Sequence, residues 1–213
     1  MSDRHHAWDK TITLAITGAS GTRYGLRLLQ CLLESGVRVY LLISQAGQVV
    51  LKMEEGIEVP SRPADAERSL AERFDARPGQ LRVFGRQQWT APVASGTSAP
   101  EAMVVCPCTT GTLATIASGM CQDLIDRAAD VALKERRRLI LVVRETPFSV
   151  IHLENMLLLA KAGAVIMPAN PGFYFNPQTV DEVVDFMVAR VLDHLAIPHE
   201  LIRRWGDAGT SAT

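Results

Sequence analysis

Two adjacent residues of opposite charge, Arg144 and Glu145, follow directly on the apolar run Arg138–Val143. If that run is a strand of a parallel sheet, its last residues point into the crevice where such sheets bind ligands. There a guanidinium can hold an anion while a carboxylate accepts a proton. On an open surface the same two residues are only an ion pair of little energetic weight. Further polar groups lie in turns that follow apolar runs. Gly18-Ala19-Ser20-Gly21 follows Ile12–Thr17, Ser44 follows Val37–Ile43, and Thr109-Thr110-Gly111-Thr112 follows Ala102–Cys106. Hydroxyls and free N–H groups opening a helix suit an anion. A nicotinamide dinucleotide needs G-x-G-x-x-G and a carboxylate after the second strand. Gly18, Gly21 and Gly25 have another spacing, and no carboxylate adjoins Ser44. Hydroxyls at Ser20 and Ser44 suit one phosphate and a ribityl chain, so the combination favours a mononucleotide.

Other charges sit on helical patterns. Arg190 lies seven residues after Val183, four after Phe186 and three after Met187, which places it on their apolar face. It either snorkels past the core to water or turns its guanidinium toward a bound anion. Arg127 and Lys134 are seven apart and share a face, which is solvated unless it meets the carboxyl edge of the sheet. Asp181-Glu182-x-x-Asp185 superficially matches an aspartate cluster for magnesium-pyrophosphate, but opposite an apolar face it reads as a solvated surface. Cys106-x-Cys108 has no second Cys/His pair at a suitable spacing, so no metal site is expected.

The elements that must position these residues alternate between strand and helix. Ile12–Thr17 leads through the glycine turn into a helix in which Leu26, Leu28, Leu29, Leu32 and Leu33 recur at helical spacing. Val37–Ile43 precedes a helix over Gln45–Met53, with Glu54 and Glu55 at its end. Residues 56–80 read as exposed around a short amphipathic run, and Leu81–Ser98, with Trp89, as a surface loop. Ala102–Cys106 is the third strand and is followed by a helix through Ser118. Next come a helix over Leu124–Lys134, the strand Arg138–Val143, a helix over Ser149–Ala162 and a short strand Ala164–Met167. A proline-stiffened loop carrying Tyr174 leads into a last helix ending near Leu195. The fold expected is α/β: a Rossmann-like, doubly wound parallel sheet in three α/β/α layers, as one domain. Residues 1–10 read as an N-terminal extension, 11–205 as the domain and 206–213 as a disordered tail.

Composition excludes several classes. The 213 residues carry a net charge of −1, too little for bulk electrostatic attraction to nucleic acid. The polar first ten residues offer no signal peptide, and no apolar run reaches the ~20 residues of a membrane span. The four cysteines lie among core-like residues, as expected of reduced thiols in a cytoplasmic protein.

The motifs TGASG (Thr17–Gly21), Ser44, CPCTTGT (Cys106–Thr112), DRAADVALKERR (Asp126–Arg137), VRETP (Val143–Pro147), GAVIMPANPGFY (Gly163–Tyr174) and RVLDHL (Arg190–Leu195) recur in order. Together they resemble the UbiX-type flavin prenyltransferases from residue 11 to 205. The loop Thr109-Thr110-Gly111-Thr112 departs mildly from the family, whose members often carry a bulkier pair at its second and third positions. The resemblance implies a flavoprotein that binds FMN and prenylates it for UbiD-type decarboxylases, including the one in ubiquinone synthesis. By position, Gly18, Ala19, Ser20, Ser44, Thr109, Thr110, Gly111, Thr112 and Arg144 would hold FMN. Lys134, Arg144, Tyr174 and Arg190 would hold the phosphate of dimethylallyl monophosphate. Ser20, Glu54 and Glu145 would handle protons and phosphate near flavin N5, and Trp89 and Trp205 would border the prenyl group. The resemblance also implies a homododecamer with sites at subunit interfaces, to which a neighbour would bring Glu54 and Trp89.

The implied reaction joins an allylic carbon to N5 of reduced FMN, expels phosphate and closes a ring at C6. Cations fixed around the phosphate would do what magnesium does for pyrophosphate esters. Two other readings share the fold or the ligand. An FMN-dependent cysteine decarboxylase would need a mid-chain histidine, and none lies between His6 and His152; its Asn-Met signature is also missing from Pro168–Gly172. A non-catalytic flavin carrier would leave Lys134 and Arg190 without a task.

Overall fold

The computed structural model describes residues 8–203. Six parallel strands form one sheet: β1 (Thr11–Ile16), β2 (Arg38–Ile43), β3 (Leu81–Phe84), β4 (Ala102–Cys108), β5 (Arg138–Val143) and β6 (Val165–Ile166). Their order is β3-β2-β1-β4-β5-β6. The chain therefore steps outward from β1 in both directions, and a crevice opens where the carboxyl ends of β1 and β4 diverge. The helices are α1 (Thr22–Glu34), α2 (Gln45–Glu55), α3 (Pro63–Arg73), α4 (Thr110–Ala117), α5 (Leu124–Lys134), α6 (Val150–Ala162) and α7 (Val180–Leu195).

Alternation along each strand divides the core. Ile12, Leu14 and Ile16 of β1 pack with Val39, Leu41, Val104 and Val142 under α1, α2, α3 and α7. Ala15 joins Leu42, Met103, Val105, Leu141 and Val143 on the other face, under α4, α5 and α6. Every strand but β3 and β6 reads as a nearly continuous apolar run because it is covered on both sides. The three-layer arrangement expected from the sequence is the one observed.

Two segments differ from expectation. Leu81–Phe84 is the edge strand β3, pairing with β2 from Val39↔Leu81 to Leu42↔Phe84. Only Arg82 of the four points out, and so short an alternation beside polar turns carries little signal. Residues 56–80 are not wholly exposed either. Ile57, Ala66 and Leu70 are buried where α3 closes over β3, and the side-chain amide of the buried Gln80 donates to the Leu33 and Val37 carbonyls. Of the cysteines, Cys31, Cys106 and Cys108 are buried but Cys121 is exposed. Burial pushes the Cys31 thiol up to about 11 and that of Cys108 up to about 12, so neither is a nucleophile near neutrality. Among residues 1–10, Trp8 and Lys10 pack onto the domain: Arg77 lies 4.7 Å over the Trp8 ring, and Lys10 Nζ donates to Leu195 O. The expected tail at 206–213 lies outside the described residues.

α1 is drawn unusually close to β4. A methyl group on Gly25 would lie 2.3 Å from the Cys106 carbonyl oxygen and about as near Ile16 as packing permits. On an exposed helix Gly→Ala stabilises by about 1 kcal/mol. Here overpacking against backbone reverses the sign, and Gly25→Ala is expected to lower stability by about 1–3 kcal/mol, measured by urea denaturation.

Candidate active site

The crevice is built from the turns after β1, β2, β4 and β5. The β1 turn lies against the start of α2, since a Cβ on Gly18 would meet that of Ala46 at 2.3 Å. Gly21 adopts φ 93°, a left-handed conformation favouring glycine, and leads into α1 without a side-chain cap of its own. The carboxylate of Glu54, at the end of α2 in the same chain, supplies the cap. It accepts from Gly21 N at 3.0 Å, Thr22 N at 2.9 Å and Thr22 Oγ1 at 2.8 Å. Burial opposes ionisation of Glu54, but hydrogen bonds from Ser20, Thr22 and Gly21 outweigh it and hold the carboxyl below its usual range. The N–H groups expected to be free for a ligand anion at α1 are thus already taken, and Glu54 comes from the same chain rather than a neighbour.

The remaining turns keep more capacity. Thr109 Oγ1 caps α4 by accepting from Thr112 N at 3.0 Å and donates to Thr112 Oγ1 at 2.9 Å. Ser44 Oγ caps α2 by accepting from Gly47 N at 2.9 Å, which leaves its O–H to donate. A side chain on Gly111 would meet only Thr109 Oγ1, at 3.8 Å, so the α4 turn stays open to close approach. Arg144 is half-buried, its N–H donates to Cys108 O at 3.2 Å, and its buried Nε finds no acceptor among the described residues. A buried donor left unmet costs about 1–3 kcal/mol, a cost that an anion bound beside Arg144 would relieve. Glu145 Oε1 accepts from Thr146 N at 3.0 Å, and no ion pair joins it to Arg144 among the described residues. A guanidinium awaiting an anion, two hydroxyl-bearing helix starts and an open glycine turn fit a flavin mononucleotide.

Two aromatic residues expected at the site stand on exposed loops. Trp89 follows Arg86, whose Nε donates to Asp123 Oδ2 at 3.2 Å and whose carbonyl accepts from Leu124 N, pinning that loop to α5. Tyr174 packs on Phe175 and Phe186, with ring centroids 4.6 and 5.9 Å away. Trp205 lies outside the described residues.

Two expected phosphate ligands are not gathered here within one chain. Lys134 ends α5 at the opposite, amino edge of the sheet, four residues before β5 begins, and pairs with Glu135 beside Gly96. Arg190 is exposed rather than buried on an apolar face and pairs with Asp193 at 2.7 Å. The buried stripe of α7 runs through Val184, Met187, Val188, Val191 and Leu192, which turns Arg190 outward. It also lies ten residues into α7, about 15 Å along the axis from Val180. Spacing fixes which face of a helix a residue occupies, but not which edge of the sheet it reaches. The acidic run at 181–185 is solvated at Asp181 and Glu182, as expected, whereas Asp185 takes Arg27 of α1 in two hydrogen bonds, at 2.6 and 3.3 Å.

Thr17 was not singled out from the sequence, yet it is buried at the crevice and bonds to both Pro107 and Thr109. The available signal was a lone hydroxyl ending an apolar strand, directly before glycine.

Comparison with known proteins gives concordant results. The Flavoprotein family profile matches residues 1–192. A flavin prenyltransferase UbiX of Pseudomonas aeruginosa is 58% identical over 196 residues, covering 92% of this chain and 94% of that protein. A crystal structure of AnUbiX (PadA1) in complex with FMN and dimethylallyl pyrophosphate superposes with a TM-score of 0.82 at 40% identity, covering 92% of this chain and 97% of that one. A dodecameric FMN-dependent UbiX-like decarboxylase from Escherichia coli O157:H7 superposes at 0.81 and 38% identity, covering 92% and 98%.

The lowered Glu54 pKa has a sign that can be checked. A depressed folded-state pKa adds stability above the unfolded value, near 4.3, which is lost as pH falls through the folded value. Glu54→Gln is therefore expected to lower the thermal midpoint at pH 7, with the gap from wild type narrowing as acidification proceeds below about pH 4. Differential scanning fluorimetry across pH measures this, and a gap independent of pH would contradict it.

Proposed function

The chain belongs to the Flavoprotein family and, within it, to the UbiX flavin prenyltransferases, and on that basis we propose that it transfers a dimethylallyl group from dimethylallyl monophosphate to N5 and C6 of reduced FMN. The observation that carries this reading is the buried, unmet Nε of Arg144 between hydroxyl-bearing turns. FMN would be held by the Gly18-Ala19-Ser20 turn, by Ser44, by Thr109–Thr112 and by Arg144. When bound and reduced, it supplies an electron-rich N5 and C6, while the donor's C–O bond breaks and its electron pair leaves with phosphate.

The chain's own groups divide the remaining work. Arg144, Lys134, Arg190 and the Tyr174 hydroxyl take up the charge developing on phosphate. Hydrogen bonds to charged groups are worth about 1.5–3 kcal/mol each, so several together can replace a divalent ion in a dry, preorganised site. The N5 proton would leave as the first bond forms, and the dimethylallyl double bond would take up a proton at one carbon and bond C6 through the other. Glu145 would accept the proton lost from C6, and Glu54 would orient Ser20 beside N5. The indoles of Trp89 and Trp205 face positive charge on the allylic carbon. The prenylated flavin then passes to a UbiD-type decarboxylase, as in ubiquinone synthesis.

Because Lys134 and Arg190 stand away from the crevice of their own chain, the complete site draws them from neighbouring copies. A homododecamer like the Escherichia coli relative provides such neighbours. The exposed Val150, Ile151, Leu153, Leu157 and Leu158 of α6 support the assembly, since exposed apolar side chains gathered on one helix are normally covered by a partner.

Anaerobic incubation with reduced FMN and dimethylallyl monophosphate is expected to give a flavin heavier by one C5H8 unit in mass spectrometry, with EDTA leaving the yield unchanged. Unmodified flavin, or strict magnesium dependence, would count against the reading. Lys134→Ala and Glu145→Gln are each expected to bind FMN without forming product. Co-assembled at equal amounts they should recover about a quarter of wild-type activity, because mixed oligomers contain sites drawing each intact residue from a different chain. No recovery in verified mixed oligomers would place Lys134 outside a shared site.

A further inference from the structure

Backbone pairing between β1 and β4 ends at Ala15↔Val105. Beyond it, β4 shifts its register with β5 between Val105 and Cys108, across a proline that has no N–H to offer. The gap is closed by one side chain. Thr17 Oγ1 donates to Pro107 O at 2.7 Å and accepts from Thr109 N at 2.9 Å, while Thr17 N also donates to Pro107 O at 3.3 Å. Thr17 is 1% exposed, so water cannot take over these bonds. On one side of Thr17 begins the Gly18–Gly21 turn; on the other, Thr109 caps α4.

We propose that Thr17 is a positioning residue for flavin capture: its hydroxyl sets the separation between the β1 turn and the α4 turn, and hence the width of the crevice that grips the ligand. This rests on the flavin-binding reading above. Neighbouring links leave the task to Thr17 alone. Ser44 N donates to Ile16 O and Arg144 N to Cys108 O, tying β2 to β1 and β5 to β4 through backbone. Past Val105, among the described residues, β1 and β4 are joined by the Thr17 N–H on Pro107 O, and the Thr17 hydroxyl alone carries the link on to Thr109. Without the hydroxyl, the Thr109 N–H loses its acceptor, and only the longer bond from Thr17 N to Pro107 O still joins the two segments, which lets the α4 turn shift against the β1 turn.

The test compares Thr17→Val, which keeps shape and loses the bridge, with Thr17→Ser, which keeps the bridge and loses a methyl. FMN affinity is read by quenching of flavin fluorescence, and stability by thermal midpoints with and without FMN. Thr17→Val is expected to bind FMN about tenfold more weakly, with a smaller FMN-induced rise in midpoint. Thr17→Ser is expected to keep wild-type affinity even with a lower midpoint. A purely structural role would lower the ligand-free midpoint of Thr17→Val and leave its FMN affinity unchanged, which overturns the proposal. If Thr17→Val does not fold, Thr17→Ser decides: wild-type affinity supports the bridge, and a tenfold loss overturns it. Failure of the wild-type protein to quench FMN would instead overturn the flavin reading itself.

Discussion

Where β1 and β4 stop pairing, the structure passes from a regular sheet to a set of turns held by single hydrogen bonds. Ser20, Ser44, Thr109–Thr112 and Arg144 all lie on the turn side of that boundary. The sheet sets where each turn starts, because strand ends in a parallel sheet come out at one edge. The bonds of Thr17, Ser44 and Arg144 to neighbouring strands then set how far apart the turns stand.

The same edge shows how helix starts are shared among competing acceptors. α2 and α4 are capped by their own Ser44 and Thr109, and α1 by a carboxylate from another element. An anion arriving at this edge therefore meets one helix start already neutralised by Glu54. The unmet guanidinium of Arg144 becomes the stronger attraction, since charge-assisted bonds exceed those from backbone N–H groups alone.

Distance divides the expected residues into two sets. Ser20, Glu54, Thr109–Thr112, Arg144 and Glu145 belong to turns or helix ends at the carboxyl edge. Lys134 belongs to the amino edge, where the last turn of α5 meets the start of β5, and Arg190 faces outward from α7. A single chain thus carries both an incomplete crevice and cations displayed elsewhere. That division, together with the exposed apolar side chains of α6, is the physical basis of the proposed assembly.

The apolar runs were enough to specify the helix over Leu124–Lys134 and the strand Arg138–Val143, because both follow from burial periodicity within one element, and the alternation of such elements pointed to the doubly wound class. They also placed Arg144 and Glu145 at a strand end. What depended on tertiary structure was every relation between elements: Leu81–Phe84 is a strand only because β2 lies beside it, and Arg190 is exposed because neighbouring helices cover a different stripe of α7. Glu54 reaches α1, and Thr17 reaches β4, across 32 and 90 residues of chain. Periodicity describes one element at a time, whereas a hydrogen bond between distant segments exists only after packing has brought them together.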